Sequence, residues 1–553
     1  MPASWEAPGP VSWEAPGPGS WELDRSHWDS AMTPIGYEIL RCGLETAYRD
    51  GFAEFGVPAD GIDVRNVNGF AYSRVRPLFG ADGQTPNAPP DWLIKLVARL
   101  HPEMRRREKR AAQRLANPRF RASLATWTTT TKPATEARNR AFQAVDLTML
   151  SDDELVDHTE TLFAYVCESS VLHHRLHMHD LGPLGIYVVF CRDRGIEPAA
   201  ALDALAGASP STTEPRRALA ALRAELRLVG ATPTSLDDVR AASPQARAML
   251  DDYLDRHSCV LFSGYDIDSA TLGERPEVIL TSILTATEPA PDTNAATVAA
   301  TLRAQINAAE HDDFDQILGD ARDAMDLRDD NGPMTIEWPG GLLHLSLVEV
   351  GHRLAERGAA ADASHVFELA SEEIRPLLTG GEGPDAETLL GRAATRQAQR
   401  ALDPPPYLGA DPEDPPLHLL PPAMAQAMDM VTTVIATVFG SRDGTAPPLT
   451  GSGIGTTSHI GVARVAETAE EAIAAMQPGD VLVTRATSPA FNLVLGIAGG
   501  LVTVHGGPMS HAAVLSRELG LPAVIGVEDC LDYITTGDRV EVDPSAGVVT
   551  VLG

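Results

Sequence analysis

At 553 residues the chain is long enough for two to four domains, and its 44% hydrophobic and 22% charged content suits a folded water-soluble protein. A formal charge of −32 argues against a surface that tracks nucleic-acid phosphates. The sequence has no run of about 18 apolar residues and no basic, then apolar, leader, so no membrane contact is expected and a cytoplasmic setting is.

The N-terminus repeats with a period of eight: Ser-Trp-Glu-Ala-Pro-Gly-Pro-Val, Ser-Trp-Glu-Ala-Pro-Gly-Pro-Gly, then Ser-Trp-Glu-Leu-Asp-Arg-Ser-His. Its Pro and Gly content favours neither helix nor packed strand, and two or three copies are too few for a solenoid. Residues 1–22 are therefore expected to be a disordered tail. From 23 to 439 the pattern is mainly helical. Ser151-Asp-Asp-Glu154 is a capping box, followed by Leu155, Leu162, Val166, Leu172 and Leu176 at near-helical spacing. A second helix is expected from Leu342 to Arg357, with Gly358 as its stop. Strand-like alternation is scarce in this region. Pro- and Gly-rich breaks fall at 403–422 and 440–455, and the second reads as an interdomain linker.

After 455 the texture changes. Strands are expected at Val481–Thr484, Leu501–Val504, Ala523–Ile525, Arg539–Val542 and Val548–Leu552, with helices near 489–499 and 511–519. The fold class expected is multidomain: a large mainly α-helical domain, then a small α/β domain at 456–553. The five cysteines are scattered and form no CxxC pair, which suggests neither a zinc site nor a disulfide framework.

The chemistry concentrates at His505-Gly-Gly-Pro-Met-Ser-His-Ala-Ala-Val-Leu-Ser-Arg-Glu-Leu-Gly520, which follows a strand and opens a helix. Gly506 and Gly507 allow close backbone approach, and Ser510 is a natural N-cap. His511 then falls in the first helical turn, beside free amides and the positive end of the dipole. That place suits a phosphoryl group, with Arg517 adding charge if it folds back. Imidazole is a competent nucleophile near neutral pH. Alone, a histidine at a helix start is more often a structural or capping residue.

The longer string GGPMSHAAVLSRELGLPAVIG resembles the phosphohistidine swivelling domain of the PEP-utilising enzymes, which include pyruvate phosphate dikinase, PEP synthase and rifampin phosphotransferase. The resemblance extends upstream through Gly479-Asp-Val-Leu-Val483 and Thr487-Ser-Pro489 and covers roughly residues 452–553. It implies that His511 is phosphorylated, that Gly506, Gly507, Ser510, Arg517 and Thr487 bind the phosphate, and that the domain swings between donor and acceptor sites. Met509 departs from the Thr or Asn common two residues before that histidine and marks a subgroup.

Gly264-Tyr-Asp266, Glu274-Arg-Pro276, Leu327-Arg-Asp-Asp330, His365-Val-Phe-Glu-Leu369 and Pro404-Pro-Pro-Tyr-Leu-Gly409 resemble the acceptor-binding region of rifampin-phosphotransferase-like proteins. That likeness makes 23–439 an acceptor or substrate-binding domain. It also aligns Arg328-Asp329 with the start of an Arg-Glu-x-x-Lys-like stretch, whose lysine slot holds Gly332 or a neighbour. Arg328 is thus a candidate catalytic cation and Asp329 a substrate-binding candidate; a surface salt-bridge arginine is the plain alternative. His173, His174 and His177 lie three and four residues apart on one helical face. They suit an acceptor pocket, one of them as a general base toward a hydroxyl, or else a polar helix end; a metal site lacks a third ligand and none is assigned.

No GxxxxGK[ST] loop occurs, and the lysines are only Lys95, Lys109 and Lys132. The resemblance then implies a chain lacking the ATP-grasp domain and charged in trans by a separate ATP-grasp protein. ATP and Mg2+ would act through that partner, with no cofactor bound tightly by this chain. The expected activity is a phosphotransferase that passes the phosphoryl group from His511 to a hydroxyl of a small molecule, such as an antibiotic or other natural product, to give either a stable ester or an intermediate activated for dehydration. The alternative is a non-catalytic ligand-binding or carrier protein with a retained swivelling domain.

Overall fold

The computed structural model describes residues 12–24, 27–28, 30–78, 90–116, 120–262, 264–286, 295–411, 416–439, 449–488 and 491–552. Strand β1 (Ser20–Leu23) leads into helix α1 (Pro34–Phe55) and the hairpin β2 (Ala59–Val67) and β3 (Phe70–Pro77). The hairpin turns at Asn68-Gly69, both with positive φ, the backbone that a two-residue turn between twisted strands requires. Helix α2 (Asp152–Arg192) spans 41 residues and opens with the expected capping box at Ser151. Helix α3 (His311–Gly332) passes through a π-helical turn, Pro333–Glu337, into α4 (Trp338–Glu356), which ends before Gly358 at φ 71°. Strand β4 (Tyr407–Gly409) and helix α5 (Pro422–Phe439) complete this part.

Helices dominate here, but four strands form an antiparallel sheet in the order β2-β3-β1-β4. The region is mainly helical as expected, with this sheet set within it. One expectation is corrected at its centre: residues 12–22 are not a disordered tail. Trp21 is 1% exposed, its indole N–H bonds the Gly17 carbonyl at 3.0 Å, and the Arg74 guanidinium lies 4.8 Å from its ring centre. Burying that indole outweighs the poor strand propensity of the flanking Pro and Gly. Residues 1–11, which hold the first repeat, lie outside the described residues.

Helices α1 and α2 cross closely at Gly43, where a Cβ would lie 2.1 Å from Ser170 Oγ. Ile39, Val166, Leu343 and Leu347 belong to one apolar cluster that ties α1 and α2 to α4.

The C-terminal unit is α/β. Strands β5 (Ser452–Ile454), β6 (His459–Val465), β7 (Val481–Thr484) and β8 (Gly500–Thr503) precede helix α6 (His511–Leu519); β9 (Ala523–Ile525), β10 (Arg539–Asp543) and β11 (Val548–Val551) follow it. The sheet order is β11-β10-β6-β7-β8-β9-β5, parallel from β6 to β9 and antiparallel at both margins. The central strands β7 and β8 are buried on both faces, which is why they read as continuous apolar runs. Strand β5 lies inside the span expected to be linker, so the unit begins before residue 456: pairing with β9 orders it. Residues 440–448 of that span lie outside the described residues. No described helix is long and apolar enough to cross a membrane.

Candidate functional site

The site grows from the turn between β8 and α6. Gly506 has φ 114°, and a Cβ there would lie 2.8 Å from Ser510 Oγ, so the turn needs glycine. Ser510 is extended and caps α6, its Oγ accepting the Ala513 N–H at 3.4 Å. His511 follows as the first residue of the helix. Thr487 Oγ1 lies 2.8 Å from His511 Nδ1 and fixes the ring plane. The imidazole faces a cavity of about 2800 Å³, whose wall comes from both halves of the chain.

Burial pushes the His511 pKa down to about 4, helped by the positive charges of Arg328 and His27. The ring is therefore neutral at pH 7, the form that carries a lone pair. The same two cations favour an anion attached to the ring.

Arg328 arrives from α3. Its guanidinium donates to the Met509 carbonyl in the histidine turn and pairs with Asp329 at 3.1 Å. Asp329 also accepts from the Thr212 hydroxyl at 2.9 Å, so it braces Arg328 against the neighbouring helix. A second cation enters this stretch of α3 from elsewhere. Lys132, at the start of a separate helix, forms an ion pair with Asp330 and lines the same cavity.

Residues 476–547 match the family described as PEP-utilising enzyme, mobile domain. The C-terminal unit contains that mobile domain. Chondramide synthase of Chondromyces crocatus is 27% identical over 96% of this chain and 14% of its own length. Rifampicin phosphotransferase of Streptomyces sviceus is 31% identical over 37% of the chain and 21% of its own length. Phosphoenolpyruvate synthase of Aeropyrum pernix is 46% identical over 16% of the chain and 11% of its own length. The chain thus spans less than a quarter of each of these relatives.

The mobile domain is docked on the helical part. The N–H groups of Gly507 and Met509 donate to the Val438 and Thr437 carbonyls at 2.9 and 2.8 Å. Those carbonyls close the end of α5 and would otherwise lack partners. Met509 is 2% exposed and packs with Val514 against Leu202, Leu205 and Met325. Burying such a side chain contributes roughly 1.5–3 kcal/mol. The Gly207 N–H donates to Glu518 Oε1 at 2.9 Å. Arg517, expected at the phosphate, lies at this seam: Asp203 holds its Nε at 2.8 Å, the Pro508 carbonyl takes a second N–H, and Nη2 has no hydrogen-bond partner among the described residues.

The three expected histidines line the cavity from α2. His173 Nε2 and His177 Nε2 lie 3.0 Å apart, with Thr335 on His173 and Asp180 on His177. His174 Nδ1 lies 2.7 Å from the Ser170 carbonyl. Burial holds the His173 and His174 rings neutral, His174 at about 3. Among the described residues no group of three or more His, Cys, Asp or Glu side chains is arranged to hold a metal.

Two further groups escaped sequence reasoning. Asp24 and His27 lie just after β1, with His27 Nδ1 2.7 Å from Asp24 Oδ2. Burial works against the His27 cation, but the Asp24 charge and hydrogen bond raise its pKa above the ordinary value. The available signal was the third repeat, which replaces Ala-Pro-Gly-Pro-Gly with Leu-Asp-Arg-Ser-His. Glu337 sits in the π-helical turn, 3% exposed, and burial lifts its pKa to about 8. Away from the polar end, Phe52, Phe55, Phe120, Met178, Met428 and Val431 give the cavity an apolar wall.

Proposed function

We propose that this chain is the acceptor-and-carrier part of a phosphotransferase. His511 takes up a phosphoryl group and passes it to a hydroxyl of a small molecule held in the cavity. The observation that carries this reading is the docked histidine. A neutral imidazole at a capped helix N-terminus faces a large cavity beside Arg328. Thr487 occupies Nδ1, which leaves Nε2 as the atom that forms and breaks the bond to phosphorus. Arg328 then neutralises charge on the moving group, and the docked interface sets its distance and direction.

The apolar wall fits a hydrophobic acceptor considerably larger than a sugar or amino acid, in keeping with a natural product or antibiotic. The rifampicin phosphotransferase match supports that class. The product is a phosphate ester. Where the neighbouring carbon carries an acidic proton, phosphate becomes a leaving group and the net result is dehydration.

The phosphoryl source in this proposal is a separate ATP-grasp protein, which brings ATP and Mg2+. The sequence has no GxxxxGK[ST] loop and no lysine after Lys132 to hold nucleotide phosphates. More than three quarters of each relative lies outside the aligned region, which leaves room there for donor sites. The reaction is placed in the cytoplasm, where the free cysteines stay reduced.

Incubation with labelled ATP, with and without an ATP-grasp protein encoded nearby, tests the reading. Label is expected on His511 only when both proteins are present. Strong labelling of this chain alone contradicts the split arrangement. A chain that keeps ligand binding and its biological effect as His511→Ala is a sequestering protein instead.

A further inference from the structure

The phosphohistidine reading leaves one question of chemistry open on the acceptor side: which group removes the hydroxyl proton. We propose that Asp24 and His27 form a dyad in which His27 Nε2 takes that proton as the acceptor oxygen attacks phosphorus. This rests on the proposed function and adds the base to it.

The dyad stands on geometry. Asp24 Oδ2 holds His27 Nδ1 at 2.7 Å, and Asp24 Oδ1 accepts the His27 backbone N–H at 3.2 Å. The carboxylate thereby fixes ring orientation and tautomer, so the neutral ring has its lone pair on Nε2. His27 lines the cavity that His511 and Arg328 also line. It is near enough to both for their charges to be felt mutually. The ring is further positioned by Tyr265, whose centre lies 5.3 Å away.

Chemistry separates His27 from His173 and His174. Those two are held far on the neutral side by burial and by neighbouring imidazoles, which makes them weak bases near pH 7. His27 has an acidic partner that raises its pKa, and a base works best with a pKa near the working pH. His177 also has a carboxylate partner, Asp180, but its Nε2 is taken up by His173 Nε2 at 3.0 Å. The step balances. The oxygen–phosphorus bond forms as the His511 Nε2–phosphorus bond breaks, and that electron pair returns to Nε2. The hydroxyl proton passes to His27 Nε2, where Asp24 stabilises the imidazolium.

The test uses the full chain and water as the smallest hydroxyl. His511 is charged with phosphoramidate, with His511→Ala subtracted as the background, and loss of the phosphohistidine is followed against pH. The groups facing His27 are Asp24, Arg328, His511, His173, His174 and Tyr265; burial holds the His511, His173 and His174 rings neutral across the range, and Glu337, lifted to about 8 behind Tyr265, is controlled by repeating the profile in Glu337→Gln. In the wild-type chain the loss should speed up as pH rises through the His27 pKa and then level off. His27→Gln should still charge, more slowly for want of one cation beside His511, and once charged should lose phosphate about a hundredfold more slowly, with no pH step. Asp24→Asn should fall between them. Free imidazole should restore the rate of His27→Ala, which a purely structural role would not permit. An unchanged, pH-stepped loss in charged His27→Gln overturns the dyad. Failure of His511 to charge at all overturns the carrier reading instead, and leaves the two outcomes distinct.

Discussion

The mobile domain and the helical part solve different problems with different kinds of sequence. In the mobile domain the reacting residue, its cap and its turn fall within six residues, Gly506 to His511. In the helical part the polar groups that line the same cavity include Asp24, His27, Lys132, His173 and Arg328, spread over three hundred positions. A nucleophile needs a local backbone device, a turn and a helix end. An acceptor chamber needs only convergence, and helices far apart in sequence supply it. The contrast implies that local damage should strike the mobile domain hardest, while the chamber should respond according to how directly each group faces the transferred phosphate.

Arg328→Leu attacks the chamber side most directly. It removes a cation beside the phosphate and the bond to the Met509 carbonyl. Transfer from charged protein should fall about 10²–10³-fold with charging of His511 retained. Single-turnover loss of label is the measurement.

Met509→Asp breaks the seam between the two regions. A carboxylate among Leu202, Leu205 and Met325 costs roughly 3 kcal/mol or more, or releases the mobile domain from its dock. Transfer should drop about a hundredfold while phosphoramidate charging persists, and small-angle scattering should show a larger particle. An unchanged profile and rate would mean that this interface is not the transfer geometry.

Thr487→Val perturbs the mobile domain alone. Losing the bond to His511 Nδ1 should cost about 1 kcal/mol, some five- to tenfold in charging rate. The pH profile sharpens this. Because the buried His511 ring titrates at about 4, charging should stay flat from pH 8 down to about 5 and fall only below that. The depressed value also sets a stability window. The folded state binds fewer protons than the unfolded one between pH 6.5 and about 4, so docking and folding stability should decline as pH falls through that range.

Glu337→Gln should have the smallest effect on transfer at pH 7, since the amide mimics an acid that is already neutral. Its effect lies in stability. The folded pKa of about 8 exceeds the ordinary 4.5, so the wild-type chain loses stability as pH rises from 4.5 to about 8. The variant should lack that decline in a denaturant titration repeated across pH.

The same contrast explains what was legible in the sequence. Strands β7 and β9 match their expected bounds and β8, β10 and β11 come within one residue, because buried strands write continuous apolar runs. The capping box at Ser151 and the stop at Gly358 were equally local. The N-terminal sheet was not read because β1 pairs with β3 some fifty residues on and with β4 nearly four hundred on. One clue was present, the Asn68-Gly69 pair between two apolar runs. Arg517 shows the reverse case: its place in α6 was expected, but its partner Asp203 lies in the other region, and that partner holds the guanidinium at the seam. Likewise Gly332 marks where a cation was sought along α3, whereas Lys132 reaches the neighbouring Asp330 from a different helix.

The central claim is that His511 carries the phosphoryl group on Nε2. Phosphorus NMR and fragment-ion mass spectrometry of the charged chain test it most directly. The account predicts one acid-labile phosphohistidine, at His511, substituted on Nε2 and absent from His511→Ala. A phosphate on Nδ1, or undiminished labelling of the His511→Ala chain, would contradict it.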